Sequence, residues 1–399
     1  MELYKDLAIH GGIPVREKYL PYGRQWLDEE DIQSVVNVLQ GDYLTTGPAV
    51  EGFEQSIAAY VGAKYAVAFA NGTAALHGAC FAAGIKQGDE VITSPLTFAA
   101  SANCILYLGG TPVFADIDPL TLNIDPAAIE KLITPRTKAI LPVDFAGNPV
   151  DLDTIQAIAR KHHLVVIEDA AHALGASYKN RKIGAISDMT MFSFHPVKSI
   201  TSGEGGIITT DQEEYYRKLK QFRTHGITRE ADQLREQHGP WYYEMQTLGY
   251  NYRITDIQAA LGSSQLKKLD SFIQIRRCYA ETYTRTFQTM PEITCPQEPP
   301  SVSSAWHLYV IRLNLDYLGV ERKEIFEALI QENIGVNVHY IPVYYHPYYR
   351  ELGYPTGLCP QTEKIYQGII TLPLLPAMTE QDLEDVIRAL KKVIHYYRR

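Results

Sequence analysis

The chain has 399 residues, 46% of them hydrophobic and 21% charged, the composition of an ordinary globular protein of two or three domains. Forty-six acidic residues against 37 basic ones leave a net charge of −9, and the only basic run is the terminal Arg398-Arg399, which argues against nucleic acid as a partner. No window approaches the ~20 apolar residues of a membrane span. Met1–Asp6 shows no basic-then-apolar leader, and the five scattered cysteines (80, 104, 278, 295 and 359) have no metal-finger or redox spacing, so the expectation is a cytoplasmic protein with reduced thiols.

Residues 1–27 read as irregular, with Gly11-Gly12, Pro14 and Pro21. Asp28-Glu29-Glu30-Asp31 then puts negative charge on a helix start; Ile32, Val35, Val36 and Leu39 follow at helical spacing, and Gly41 ends the run. A hydroxyl-rich turn at 42–48 precedes a second short helix marked by Phe53, Ile57 and Val61. From Tyr65 the pattern alternates. Strands are predicted at 65–70, 90–93, 111–117, 138–145, 164–169, 188–194 and 206–211, with helices opening at 71, 99, 126, 152 and 213. Val- and Ile-rich strands separated by single helices predict an α/β fold with a mainly parallel central sheet covered on both faces. Residues 224–250 read as loop. A long helix from Thr255 to about 288 reads as a bridge, and Thr255 as its cap. Beyond it, a strand at 308–313, a helix at 322–333, a strand at 335–341 and a last helix opened by Thr379-Glu380-Gln381-Asp382 give a smaller α+β unit. The expected division is therefore 1–255, 256–288 and 289–399.

Chemistry concentrates at the predicted strand ends, where α/β folds place their sites. Asn71-Gly72-Thr73-Ala74 joins a strand to a helix start, an arrangement that suits an anion, although a Thr there is often only a cap. Glu168-Asp169 closes an apolar strand, where a carboxylate is costly unless it is paired or caps a turn. His172 follows, as a ligand or as a core histidine. Ser193-Phe194-His195-Pro196-Val197-Lys198 puts one lysine just past a strand end, ahead of Gly203-Glu204-Gly205-Gly206. Together these suit a Schiff-base lysine, a carboxylate opposite a pyridinium nitrogen, and a phosphate cradle: the needs of pyridoxal phosphate (PLP). Phe98 offers a ring to stack on it or to fill the core. The tyrosines at 340, 344, 345, 348 and 349 form either a binding wall or an interface.

The ordered set Asn71–Leu76, Glu168–His172, Ser193–Lys198 and Asn251–Asp256 resembles the DegT/DnrJ/EryC1/StrS aminotransferases over residues 20–395. The resemblance implies PLP fold type I, with a large domain and a smaller C-terminal α+β domain. It implies Lys198 as the cofactor-tethering lysine and Asp169 as the partner of the ring nitrogen. It further implies His172 near the ring hydroxyl, Phe98 stacked on the ring, and Gly72, Thr73, Ala74 and Ser193 around the phosphate. Asn251 would reach the cofactor of a neighbouring subunit, so a homodimer with shared active sites is implied. Relatives with histidine in place of the lysine are dehydratases; Lys198 places this chain outside that branch. Many relatives carry glutamine where His172 stands.

Within the family, residues 193–206 and 337–344 look most like the pseudaminic-acid pathway branch, with similar sequences among spore-coat polysaccharide proteins. That likeness implies a sugar-nucleotide cleft lined by Tyr22, Leu44, Thr45, Thr46, His339 and Tyr340. The implied reaction is amination, from L-glutamate, at C4 of a UDP-4-keto-6-deoxy-N-acetylhexosamine. The alternatives are C3 amination of another nucleotide-keto-sugar and a PLP-binding sensor without turnover.

Overall fold

Seven strands build the central sheet of the computed structural model: β1 Tyr65–Phe69, β2 Glu90–Thr93, β3 Thr111–Phe114, β4 Thr137–Leu141, β5 Val165–Asp169, β6 Met189–Ser193 and β7 Gly206–Thr210. Their spatial order is β1-β7-β6-β5-β4-β2-β3. The structure describes residues 6–399; Met1–Lys5, most of the segment read for a leader, lie outside it. Strand β7 runs antiparallel to both of its neighbours, and every other neighbouring pair is parallel. Alternate residues pack on the two faces of this sheet. Ile140, Val166, Phe192 and Ile207 face one side, and Leu141, Ile167, Met191 and Ile208 the other. Burial on both faces explains why these strands read as continuous apolar runs. Because β7 reverses between β1 and β6, the other six strands all end at one edge of the sheet.

A second core gathers around a three-stranded antiparallel sheet of Ile293–Thr294, Tyr309–Leu313 and Ile369–Leu372, with Tyr309–Leu313 in the middle. The last helix, Glu380–Tyr397, buries the expected stripe of Leu383, Val386, Leu390 and Ile394 and starts with the expected capping box at Thr379. Leu7 and Leu20, from the irregular start, pack into this core.

Three expectations change. The long helix is two helices, Asp256–Leu266 and Leu269–Phe287. Lys268 leaves helical geometry (φ −102°, ψ −8°), and its ammonium is held by Asp28 and by Asp31 at 3.0 Å. No Gly or Pro marks that break; it coincides with the tertiary ion pairs of Lys268. Thr255 does cap the first of the two, in a capping box with Gln258. Residues 335–341 form no strand: Asn337 alone bridges to Thr371, and the backbone turns away to line a cleft. The 224–250 loop contains one short antiparallel pairing, Ile227–Thr228 with Glu244–Met245.

Candidate active site

The loops after β1, β2, β4, β5 and β6 converge on a cleft of about 840 Å³. After β1, Asn71 caps the helix Gly72–Ala82 by accepting the Ala74 N–H at Oδ1, 2.8 Å. Ala74 lines the cleft as predicted, but its N–H is thereby used. The free donors at this helix start are the N–H groups of Gly72 and Thr73, which find no acceptor among the described residues. They carry the positive end of the helix dipole. Ser193, at the end of β6, sits beside them: a Cβ on Gly72 would come within 3.3 Å of Ser193 Oγ. Gly206 makes the approach possible, since a Cβ there would lie 2.6 Å from the Asn71 carbonyl. Two N–H donors, a hydroxyl and a dipole end form an anion cradle.

Asp169 closes β5 and is buried. Ser101 Oγ donates to its Oδ2 at 2.7 Å and the Ala171 N–H to its Oδ1 at 3.1 Å. A carboxylate accepts up to about four hydrogen bonds, so Asp169 keeps capacity for a further donor. Burial pushes its carboxyl above the usual range, against the hydrogen bonds from Ser101 and Ala171 and the charge of Lys198. Lys198 lines the same cleft, and its ammonium has no hydrogen-bond or ion-pair partner among the described residues. Burial lowers it to about 8, and the charge of Asp169 opposes that drop. An amine so placed is free over an accessible pH range, which suits a nucleophile and proton carrier.

Three histidines stand nearby, each held neutral mainly by burial and further by the Lys198 charge. His172 and His307 are pushed well below their ordinary value and His339 to about 3. His172 Nε2 meets the Tyr340 hydroxyl at 3.1 Å, and its ring lies 4.4 Å from that of His307. Tyr22 packs on His339, ring centroids 5.4 Å apart. Phe98 borders the cleft and is 64% exposed as a residue, so it is not a core side chain and is open to a planar ligand.

The structure thus brings together Lys198, Asp169, Gly72, Thr73, Ala74, Phe98, His172, Ser193, Tyr22, His339 and Tyr340. It leaves out two predicted groups. Leu44, Thr45 and Thr46 are exposed and do not line this cleft; the turn is pinned to the start of the Asp256–Leu266 helix by the Asp256 N–H to the Leu44 carbonyl, 3.0 Å. Asn251 is likewise exposed and outside it, while its neighbour Tyr252 lines the wall. Sequence reasoning missed Tyr252, Ser101 and His307. Tyr252 lay inside a quoted motif, and Ser101 follows Phe98 by three positions, one helical turn. His307 comes from the second core, and no spacing ties it to the strand ends.

A mainly parallel sheet that gathers a lysine, a buried carboxylate and a helix start at one edge is the architecture of the fold type I aminotransferases. The model of the DegT/DnrJ/EryC1/StrS aminotransferase family matches residues 25–391, and the chain belongs to that family and is an aminotransferase. It is similar to the spore coat polysaccharide biosynthesis protein SpsC of Bacillus subtilis, 46% identical over 381 residues, which are 95% of this chain and 98% of that protein. Among solved structures it is similar to Helicobacter pylori PseC, an aminotransferase involved in the biosynthesis of pseudoaminic acid. That match has a TM-score of 0.88 and 34% identity, over 95% of this chain and 100% of the other. A protein described as a sugar aminotransferase, Spr1654 from Streptococcus pneumoniae, matches in its PMP form with a TM-score of 0.89 and 32% identity, over 94% and 99% of the two chains. Its PLP form matches with a TM-score of 0.88 and 31% identity, over 95% and 99%.

Proposed function

We propose that this aminotransferase uses pyridoxal phosphate to move an amino group from L-glutamate to C4 of a UDP-4-keto-6-deoxy-N-acetylhexosamine. The observation that carries the proposal is the meeting of Lys198, Asp169 and the free Gly72 and Thr73 N–H groups at one sheet edge. The residues present fit the cofactor: an unpartnered amine, a carboxylate with spare acceptor capacity, an anion cradle and an open aromatic face. When bound, it supplies an electron sink for negative charge on a substrate carbon.

The chain's own groups then have distinct tasks. Lys198 tethers the cofactor and, once displaced, carries a proton on Nζ to and from the substrate carbon. Asp169 holds the ring N–H and Ser101 fixes the carboxylate. Gly72, Thr73 and Ser193 hold the phosphate, and Phe98 covers the ring. His172, oriented by Tyr340, serves the ring hydroxyl as a neutral hydrogen-bonding group. Tyr22, His339 and Tyr340 line the space left for the sugar, and a cleft of about 840 Å³ is large enough for a sugar nucleotide. The printed roles of SpsC and PseC in polysaccharide and pseudoaminic acid synthesis support a nucleotide-linked sugar. Leu44, Thr45, Thr46 and Asn251 are assigned to the partner's cleft in a homodimer; their exposure, and that of Tyr43 at 57%, supports a covered surface there. The setting assigned is the cytoplasm, with no nucleic acid or membrane partner.

The test is to load the purified protein with pyridoxal phosphate, add glutamate, then titrate nucleotide 4-keto- and 3-keto-sugars. Glutamate should convert the visible band to that of the amine form, and a UDP-4-keto-sugar should restore it with a C4 amine in the product by NMR. Amination at C3 would overturn the regiochemistry. No response to glutamate would leave the sensor reading.

A further inference from the structure

Beneath Asp169 lies a second acidic group that the reaction does not use. Glu168 precedes Asp169 on β5, and strand alternation sends its side chain to the opposite face of the sheet. Asp144 follows β4 and is tied to the same place: its N–H donates to the Asp169 carbonyl at 3.0 Å. Both side chains have zero exposure. Asp144 Oδ1 accepts the Val150 N–H at 3.0 Å, and Glu168 Oε2 accepts the Thr190 hydroxyl at 2.9 Å. The two remaining oxygens, Asp144 Oδ2 and Glu168 Oε1, accept no full-strength hydrogen bond among the described residues; the Ser187 hydroxyl, equally unpartnered, lies near Glu168. Two fully buried carboxylates placed side by side by neighbouring strands β4 and β5, with no cation among the described residues to pair them, cannot both ionise.

We propose that Asp144 and Glu168 form a one-proton carboxyl dyad, Asp144 Oδ2–H donating to Glu168 Oε1, whose single negative charge backs Asp169 and strengthens its hold on a cationic cofactor nitrogen. The second half rests on the cofactor reading above; the first does not. Burial and the neighbouring Glu168 push Asp144 well above the carboxylate range, whereas hydrogen bonds from Ser187, Thr190 and Asp144 counteract the rise that burial imposes on Glu168, so the proton stays on Asp144. The pair titrates as a unit. Asp144 and Glu168 are positioning residues, acting through Asp169 rather than touching substrate.

The charge model makes an unusual prediction. In Asp144→Asn or Glu168→Gln the amide donates to the surviving carboxylate, so each single variant keeps one negative charge. Only the double variant loses it, while keeping an amide–amide hydrogen bond. Infrared difference spectra of the cofactor-free protein at neutral pH should show the carbonyl stretch of one protonated carboxyl in the wild type, lost in Asp144→Asn. The dissociation constant for pyridoxal phosphate should stay within about twofold in each single variant and weaken about tenfold in the double, the size of one pK unit. The melting temperature of the cofactor-free double variant should not fall below that of the singles. Absence of the lost band would overturn the dyad, and a double variant that binds as tightly as wild type would overturn its role. A wild type that binds no pyridoxal phosphate would instead condemn the cofactor reading, and the infrared result would still decide the dyad.

Discussion

Two acid–lysine pairings, one in the second core and one at the edge of the large sheet, are built on opposite rules. In the second core, Glu332 and Lys392 are buried and joined at 2.8 Å. Every remaining group is used: Glu332 accepts the Ala8 and Val15 N–H groups at 3.0 and 2.8 Å, and Lys392 also donates to the Ile13 carbonyl at 2.9 Å. That pair staples the N-terminal segment onto the core. At the sheet edge, Asp169 and Lys198 share a cleft without bonding to each other, and the Lys198 ammonium has no hydrogen-bond or ion-pair partner among the described residues. A satisfied buried pair is structure; an unsatisfied one keeps its hydrogen-bonding capacity for a ligand.

The contrast is sharpened most by Lys198→Ala. Turnover should fall by about ten-thousandfold or more, since tether and proton carrier are lost together. The melting temperature of the cofactor-free protein should hold or rise, because no bond is lost. A large drop in stability would mean that Lys198 is structural. Glu332→Ala should do the reverse. It leaves a buried ammonium without its counter-ion and the Ala8 and Val15 N–H groups without an acceptor, at a cost of about 3–5 kcal/mol in denaturant unfolding, with kcat of the folded fraction unchanged. Loss of kcat without loss of stability would break the comparison.

Smaller effects probe the sheet edge itself. Ser101→Ala removes the 2.7 Å hydrogen bond to Asp169 and should weaken pyridoxal phosphate binding by roughly tenfold, the value of a bond to a charged group. The smallest effect is a pH shift. Only the neutral amine of Lys198 captures an aldehyde, so the rate at which cofactor-free protein takes up pyridoxal phosphate should rise with pH through a midpoint near 8. Asp169 opposes the lowering of Lys198, so Asp169→Asn should move that midpoint down. A midpoint near the ordinary lysine value would show that Lys198 is not desolvated.

Lys198, Asp169 and the 71–74 turn were legible because a polar residue at the end of an apolar strand is a local anomaly. The mainly parallel sheet was legible for a related reason, as both-face burial writes unbroken apolar runs. What spacing could not show is what comes from elsewhere in the chain. The break at Lys268 coincides with its ion pairs to Asp28 and Asp31, some 240 positions away in the sequence. His307 and the path of 337–340 depend on how the second core seats against the strand ends. Leu44–Thr46 were placed in the cleft, and Asn251 at a neighbouring subunit's cofactor, by resemblance, and one chain alone puts none of them in this cleft.

The most direct measurement is borohydride reduction of the pyridoxal-phosphate-loaded protein, followed by peptide mapping. The account predicts one phosphopyridoxyl group per chain, on the peptide containing Lys198, and none when Lys198 is replaced by arginine. Label on another lysine, or no label on a protein that still transaminates, would contradict it.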